Sequence, residues 1–252
     1  MARRLKTFKL TLAYDGTSFK GWQRLPGKAR TVQGTVEQAL STILDADIDI
    51  AGAGRTDAGA HAEGQVASFS AATMLEPDEL ATRLGAGFPT DLACVACESA
   101  PARFHARYWP STKTYRFRVL NRARGDPFLS RYSLLWREAL DLDAMRRAAE
   151  VFIGGHDFSS FTNLKDKEKN LVRTVSAAAV EQTGDIVDLR FSADGFLYNM
   201  ARIMAAAVLE AGAGRLTADA IREILEARDR SLAPGAAPAH GLCLESVRYE
   251  DS

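Results

Sequence analysis

One eleven-residue stretch constrains this chain more than any other: Gly52-Ala53-Gly54-Arg55-Thr56-Asp57-Ala58-Gly59-Ala60-His61-Ala62. An apolar–acidic alternation, Ile48-Asp49-Ile50, leads into it, and a strand-like run, Gln65-Val66-Ala67-Ser68-Phe69, leads out. A Gly-rich loop between two strands lets its backbone come close to a ligand. Arg55 and Asp57, two positions apart on an extended chain, face the same side and can meet that ligand together. A plain hairpin turn with an incidental ion pair would use the same residue types. Two commoner motifs are excluded. Gly52-x-Gly54 lacks the third Gly of a dinucleotide fingerprint, since position 57 is Asp. Asp45-x-Asp47-x-Asp49 has Ile50 and Thr56 where a calcium loop needs Gly and Glu.

The surrounding pattern predicts the fold. Phe8 to Tyr14 alternates as a strand, and Asp15-Gly16-Thr17-Ser18 is a turn. Thr31 is an N-cap for a helix whose Val32, Val36, Leu40 and Ile43 recur at helical spacing. Strands over 48–53 and 65–69 follow. Pro77 opens a helix with Leu80 and Leu84 on one face, and a strand covers 91–98. The order β-α-β-β-α-β is the split βαβ, or ferredoxin-like, unit. Beyond Trp109-Pro110-Ser111 the order recurs with one added helix. A strand covers 114–120 and a helix is marked by Leu142, Met145, Ala149 and Phe152. Strands over 171–182 and 186–192 are joined by Thr183-Gly184-Asp185. A helix runs from Gly195 through Leu197, Ile203, Met204 and Val208; a short helix over 218–227 and a strand over 242–249 close the chain. The expected class is α+β: two ferredoxin-like (RRM-like) halves, 1–109 and 110–252, sharing a mainly antiparallel sheet with helices on one face and a cleft between the halves.

Composition enters through charge. The 252 residues carry no net charge, but the charge is segregated. Seven basic residues and no acid lie between Ser99 and Gly125 (Arg103, Arg107, Lys113, Arg116, Arg118, Arg122, Arg124), with aromatics interleaved. Residues 1–36 hold eight basic residues against Asp15 alone. Such segregation can make a basic face for nucleic acid on a neutral molecule, and an ordinary solvated surface would use the same residues. No apolar run approaches the roughly 18 residues of a membrane span. The opening Met1-Ala2-Arg3-Arg4-Leu5-Lys6 lacks a signal-peptide core, and three Cys argue against a disulfide scaffold, so a cytoplasmic protein is expected. The odd separation of Cys94 and Cys97 in a strand puts them on opposite faces, against a redox or metal pair. The four His lack metal-ligand spacing, and His61 reads as a loop hydrogen-bonder.

Gly54-Arg55-Thr56-Asp57-Ala58-Gly59-Ala60-His61-Ala62 resembles the active-site loop of the bacterial tRNA pseudouridine synthase A family, which usually has Val at the place of Ala60. Further segments resemble the family in order: Tyr14-Asp15-Gly16-Thr17 with Gly21-Trp22-Gln23 and Thr31-Val32-Gln33-Gly34; Arg103-Phe104-His105-Ala106-Arg107 with Lys113-Thr114-Tyr115-Arg116-Phe117; Gly155-His156-Asp157-Phe158-Ser159-Ser160-Phe161; Gly195 to Arg202; and Ala236 to Leu242. Departures fall at Gly85, where Asn is usual, and at Ile203 to Ala206. The resemblance implies two ferredoxin-like halves around a central basic cleft. It also implies isomerisation of uridine to pseudouridine at tRNA positions 38–40 in the anticodon stem-loop, no cofactor or metal, and a homodimer.

By the same resemblance Asp57 is the catalytic aspartate, a group able to serve as nucleophile or general base. Arg55 meets RNA, at a phosphate or in the gap left by an extruded base. Tyr115 shares a strand face with Phe117 and Val119 while Arg116 and Arg118 face the other way; core packing is its ordinary role, and the resemblance makes it the stacking partner of the target base. Arg202 stands in an otherwise apolar helix, where an Arg stem can snorkel; the resemblance pairs it with Asp57. A competing class is a non-catalytic double RRM-like RNA-binding protein, but the Lys/Arg-Gly-Phe/Tyr-Gly/Ala-Phe pattern of RRMs is not found. An aspartate-dependent hydrolase would show a second carboxylate or a metal motif, and neither is evident.

Overall fold

In a computed structural model, which describes residues 4–165 and 170–249, the chain divides into two compact units: Met1–Ser111 with Leu244–Ser252, and Thr112–Cys243. The first is assembled on strand β1 (Arg4–Tyr14), whose period-two pattern buries Phe8, Leu10, Leu12 and Tyr14 and leaves Lys9, Thr11 and Ala13 partly exposed. Strand β1 pairs antiparallel with β3 (His61–Thr73) on one side and β4 (Leu92–Ala100) on the other. Phe8 stacks across the strands on Phe69, ring centroids 5.2 Å apart. Strand β2 (Ala51–Gly52) pairs antiparallel with β3, and β10 (Leu242–Tyr249) is the next neighbour, giving the order β4-β1-β3-β10.

Helix α1 (Val32–Leu44) starts where Thr31 Oγ1 accepts the Gly34 N–H at 3.3 Å. It buries Val32, Val36, Leu40 and Leu44, each such side chain stabilising the fold by about 1.5–3 kcal/mol. Helix α2 (Pro77–Gly87) buries Leu80 and Leu84 and packs on β4 and α1. The strand expected over 48–53 shrinks to Ala51–Gly52. Ile48 and Ile50 are buried as their alternation demands, but the Ile50 N–H donates to the Glu37 carboxylate of α1 at 3.1 Å instead of to a neighbouring strand. Burial is the main cause that raises the Glu37 pKa.

The cysteine reading is corrected. Leu10 faces Cys97, Thr11 faces Ala96 and Leu12 faces Cys94, so Val95 is an extra residue, a β-bulge. The bulge cancels the odd separation and puts both cysteines on the face shared with Leu10 and Leu12. Both are free, and burial pushes the thiols up to about 11 at Cys94 and about 12 at Cys97, away from the reactive thiolate.

The second unit is built on β5 (Pro110–Asn121), with β6 (Leu134–Trp136) parallel to it and β9 (Ile186–Ala193) antiparallel. Strand β8 (Val172–Thr183) pairs antiparallel with β9, and β7 (Gly154–Asp157) with β8. Helices α3 (Leu142–Glu150), α4 (Met200–Gly212) and α5 (Ala218–Ala227) accompany them, α3 packing on β8, α4 and α5. Phe152 is edge-on to Phe161 and Phe191 in the core. Strands β6 and β7 were not expected; Gly154-Gly155-His156-Asp157 has no apolar alternation to announce it. Helix α4 begins at Met200, not Gly195, because Asn199 takes a left-handed conformation (φ 61°) that stops the helix from extending backward. The chain is thus a mixed α+β protein whose strands pair mostly antiparallel. No helix among the described residues is long and apolar enough to cross a membrane.

Candidate active site

The Gly-rich stretch joins β2 to β3, and its two ends are held differently from its tip. Gln65, fully buried on the face of β3 that also carries Ala67 and Phe69, donates its side-chain N–H to the Gly54 carbonyl at 2.9 Å. Tyr14, at the end of β1, shares a 2.8 Å hydrogen bond with the Thr56 hydroxyl. The Thr56 carbonyl accepts the Trp22 N–H at 3.0 Å. Gly54 and Thr56, the neighbours of Arg55, are therefore both anchored in the interior, while Arg55 itself is exposed and makes no ion pair or hydrogen bond among the described residues. Asp57 follows, half-buried, and its carbonyl closes the turn by accepting the Ala60 N–H at 3.1 Å.

A second layer packs under the loop. Gly21 adopts φ +92°, and a Cβ there would stand 2.9 Å from the Thr56 carbonyl oxygen, so neither the conformation nor the space admits a side chain. Gly16 is tighter still: a Cβ would fall 1.9 Å from the Ala60 carbonyl oxygen. The Gly16 N–H donates to His61 Nδ1 at 3.0 Å. His61 is buried, and the Asp15 carboxylate lies 3.3 Å from the same nitrogen. His61 is thus a structural member of the loop.

Tyr115 and Arg202 belong to the second unit. Tyr115, 5% exposed, shares the apolar face of β5 with Phe117 and Val119, and meets Phe196 edge-on at 4.9 Å. Arg116 and Arg118 face the other way, as expected; Arg118 forms a bidentate pair with Asp188, both bonds 2.8 Å. Arg202 lies in the first turn of α4. Its Nε donates to the Ala237 carbonyl at 2.6 Å and its Nη1 to Asn199 Oδ1 at 3.0 Å.

The sequence profile of the tRNA pseudouridine synthase family matches residues 11–109 and 148–250. A tRNA pseudouridine synthase A of Moorella thermoacetica is 43% identical over 242 residues, 96% of this chain and 98% of that protein. A tRNA pseudouridine synthase A 2 of Bacillus cereus is 40% identical over 245 residues, 97% of this chain and all of that protein. The chain belongs to the tRNA pseudouridine synthase family. Among solved structures, a chain of a Cbf5-Nop10-Gar1 complex aligns at TM-score 0.34 and 14% identity, over 84% of this chain and 55% of that one; so slight a likeness carries no argument.

A tRNA pseudouridine synthase is an isomerase of tRNA uridines, and its substrate is a polyanion. The basic runs of the sequence therefore need sorting into neutralised and available cations. Arg30 is held by Asp91 through two bonds of 2.6 and 2.7 Å, and Arg24 by Glu37 at 2.8 Å. Arg55, Arg103, Arg107 and Arg124 are exposed without ion pairs among the described residues. Ala60 and Ile203 are fully buried, and Gly85 has open space around it. Sequence reading missed Gln65 as a support of the loop, although a Gln on a strand face of Ala and Phe was its visible signal.

Proposed function

We propose that this tRNA pseudouridine synthase isomerises uridine at positions 38–40 of the anticodon stem-loop, with Asp57 as its catalytic carboxylate. The reaction breaks the N-glycosidic bond, turns the uracil and rejoins it to the ribose through C5. No atom is lost and nothing is oxidised, so the chemistry asks for a placed carboxylate and a placed base rather than a redox group. The observation that supports the reading best is the clamped loop. Gly54 and Thr56 are tied into the interior, so the backbone that carries Asp57 is held before substrate arrives. Preorganisation of this kind is what turns a weakly basic carboxylate into an effective nucleophile or general base.

In this reading Arg55 contacts the RNA at the loop, Tyr115 stacks on the target base, and Arg202 pairs with Asp57. Two ferredoxin-like halves, residues 1–109 with the catalytic loop and 110–252 completing the cleft, share one sheet. The enzyme works as a cytoplasmic homodimer without cofactor or metal. The decisive experiment incubates the purified protein with an unmodified tRNA transcript and assays pseudouridine at each candidate position. The wild type forms it at 38–40, and Asp57→Asn, nearly isosteric but neither nucleophile nor base, forms less than a few per cent as much. Substantial turnover by a folded Asp57→Asn protein would sink the assignment.

A further inference from the structure

Outside the catalytic loop, the segment Pro101 to Trp109 of the first unit presents an unusual surface. Tyr108 is 76% exposed, yet its ring lies against that of His105, centroids 4.4 Å apart and planes inclined by 30°. Arg103 and Arg107 flank this pair, exposed and without ion pairs among the described residues, and the sequence from Ser99 to Gly125 contains no acid. The segment is pinned from below. The Ala106 N–H donates to Ser68 Oγ at 3.0 Å, and the Tyr249 hydroxyl donates to the Ala106 carbonyl at 2.9 Å. Phe104 is wedged edge-on against Trp109 and Tyr249, at 5.6 and 5.1 Å. The turn closes on itself as well. The Tyr108 and Trp109 N–H groups donate to the His105 carbonyl at 3.2 Å, and the Arg107 N–H to His105 Nδ1 at 3.2 Å.

We infer that the His105–Tyr108 ring pair is a stacking platform for an unpaired base of the tRNA substrate, with Arg103 and Arg107 holding the adjacent phosphates. Single-stranded RNA is recognised by this combination: aromatic faces for splayed bases and guanidinium groups for the backbone. The ordering is already complete, because the turn is fixed by backbone bonds and by the Phe104 wedge, so little conformational freedom remains to be lost on binding. A second copy of the chain fits the patch less well. A two-fold contact centred on the patch would oppose two basic stretches, neither of which carries an acid to meet the other. The inference rests on the family's tRNA substrate and not on the assignment of Asp57, and it is read by binding rather than by turnover, so the two fail independently.

The test measures filter binding of an unmodified tRNA transcript and of a fully paired RNA duplex, over a range of salt, with folding checked by circular dichroism and mass by light scattering. Tyr108→Ala should weaken tRNA binding by about 5- to 150-fold, the change that corresponds to one stacked base. It should leave the salt slope, the duplex affinity and the mass unchanged. Tyr108→Phe, which keeps the ring, should bind within about 2-fold of wild type. Arg107→Gln should instead lower the slope of log affinity against log salt by about 0.7. Should Tyr108→Ala compromise folding, His105→Gln carries the same expectation for tRNA against duplex. Wild-type tRNA affinity in the folded Tyr108→Ala protein, equal losses for tRNA and duplex, or a change of mass would each overturn the inference; the last would make the patch a subunit contact.

Discussion

Removing one oxygen atom tests whether the clamp under the Gly-rich loop matters. In Tyr14→Phe the ring stays in place, edge-on to Phe19 and tilted against Trp22 at 6.3 and 6.4 Å. What disappears is the 2.8 Å bond to the Thr56 hydroxyl, together with the weaker approach of the Gln65 side-chain N–H at 3.4 Å. Tyr14 and Thr56 are only 5% and 6% exposed, so water cannot replace the lost partner. Stranding a buried hydroxyl costs about 1–3 kcal/mol; Thr56→Val should cost less than Tyr14→Phe, because the Tyr14 hydroxyl keeps the Gln65 side-chain N–H at 3.4 Å. The double variant Tyr14→Phe/Thr56→Val strands neither group. Its loss, measured by urea denaturation, should therefore fall short of the sum of the single losses by about 1–2 kcal/mol. Function should respond through the loop. Single-turnover pseudouridine formation by Tyr14→Phe should fall about tenfold or more, since small misplacements of a reacting group are costly, while tRNA affinity stays within about 2-fold. Strict additivity of the stability losses would refute the hydrogen-bond argument. An unchanged single-turnover rate would refute the claim that the clamp positions Asp57.

Three further expectations follow from the same geometry. Gly16→Ala forces a Cβ onto the Ala60 carbonyl, 1.9 Å away, and since backbone must yield, the variant should lose about 1–3 kcal/mol in denaturation and more turnover than tRNA affinity. Hydrogen bonding from Arg30 lowers the pKa of Asp91 below its ordinary 3.8, so the stability it contributes is complete above that value and is lost as pH falls through the depressed one; Asp91→Asn should be less stable than wild type by up to about 1 kcal/mol at pH 7, with the gap closing in urea titrations below pH 3.8. Tyr115→Ala should reduce single-turnover rate sharply with little effect on tRNA affinity, and Tyr115→Phe should separate ring from hydroxyl; equal losses of rate and affinity would make Tyr115 a general RNA contact, and an unfolded Tyr115→Ala would make it core.

Local signals carried the sequence reading far, and they failed where a local signal was overruled from a distance. Thr31 and the spacing of Val32, Val36 and Leu40 announced α1 because capping and periodicity are properties of neighbouring residues. The same holds for the loop: three glycines beside Arg55 and Asp57 are visible without a fold. Helix α4 was placed too early, since Gly195 to Tyr198 looks apolar enough to be helical and only the left-handed turn at Asn199 excludes it. The bulge at Val95 was invisible because a strand's alternation does not say which residue will be left unpaired.

The support beneath Asp57 belongs to this second kind. Tyr14 meets Thr56 across 42 residues of sequence, a contact no window on the sequence contains. Strand register makes it. Leu12 pairs with Gln65 and Tyr14 with Ala62, so β3 spends three residues where β1 spends two, and the ladder is bulged beside Tyr14. A bulge locally increases twist and re-aims the side chains around it. Here it lies at the end of β1 where Tyr14 turns its hydroxyl toward the loop, and Gln65, the last regular partner before it, reaches Gly54 from the same ladder. The irregularity in the sheet is thus the device that couples the core strand to the two residues flanking Arg55, and a loop whose residue types were readable in isolation acquires its rigidity from pairing that was not.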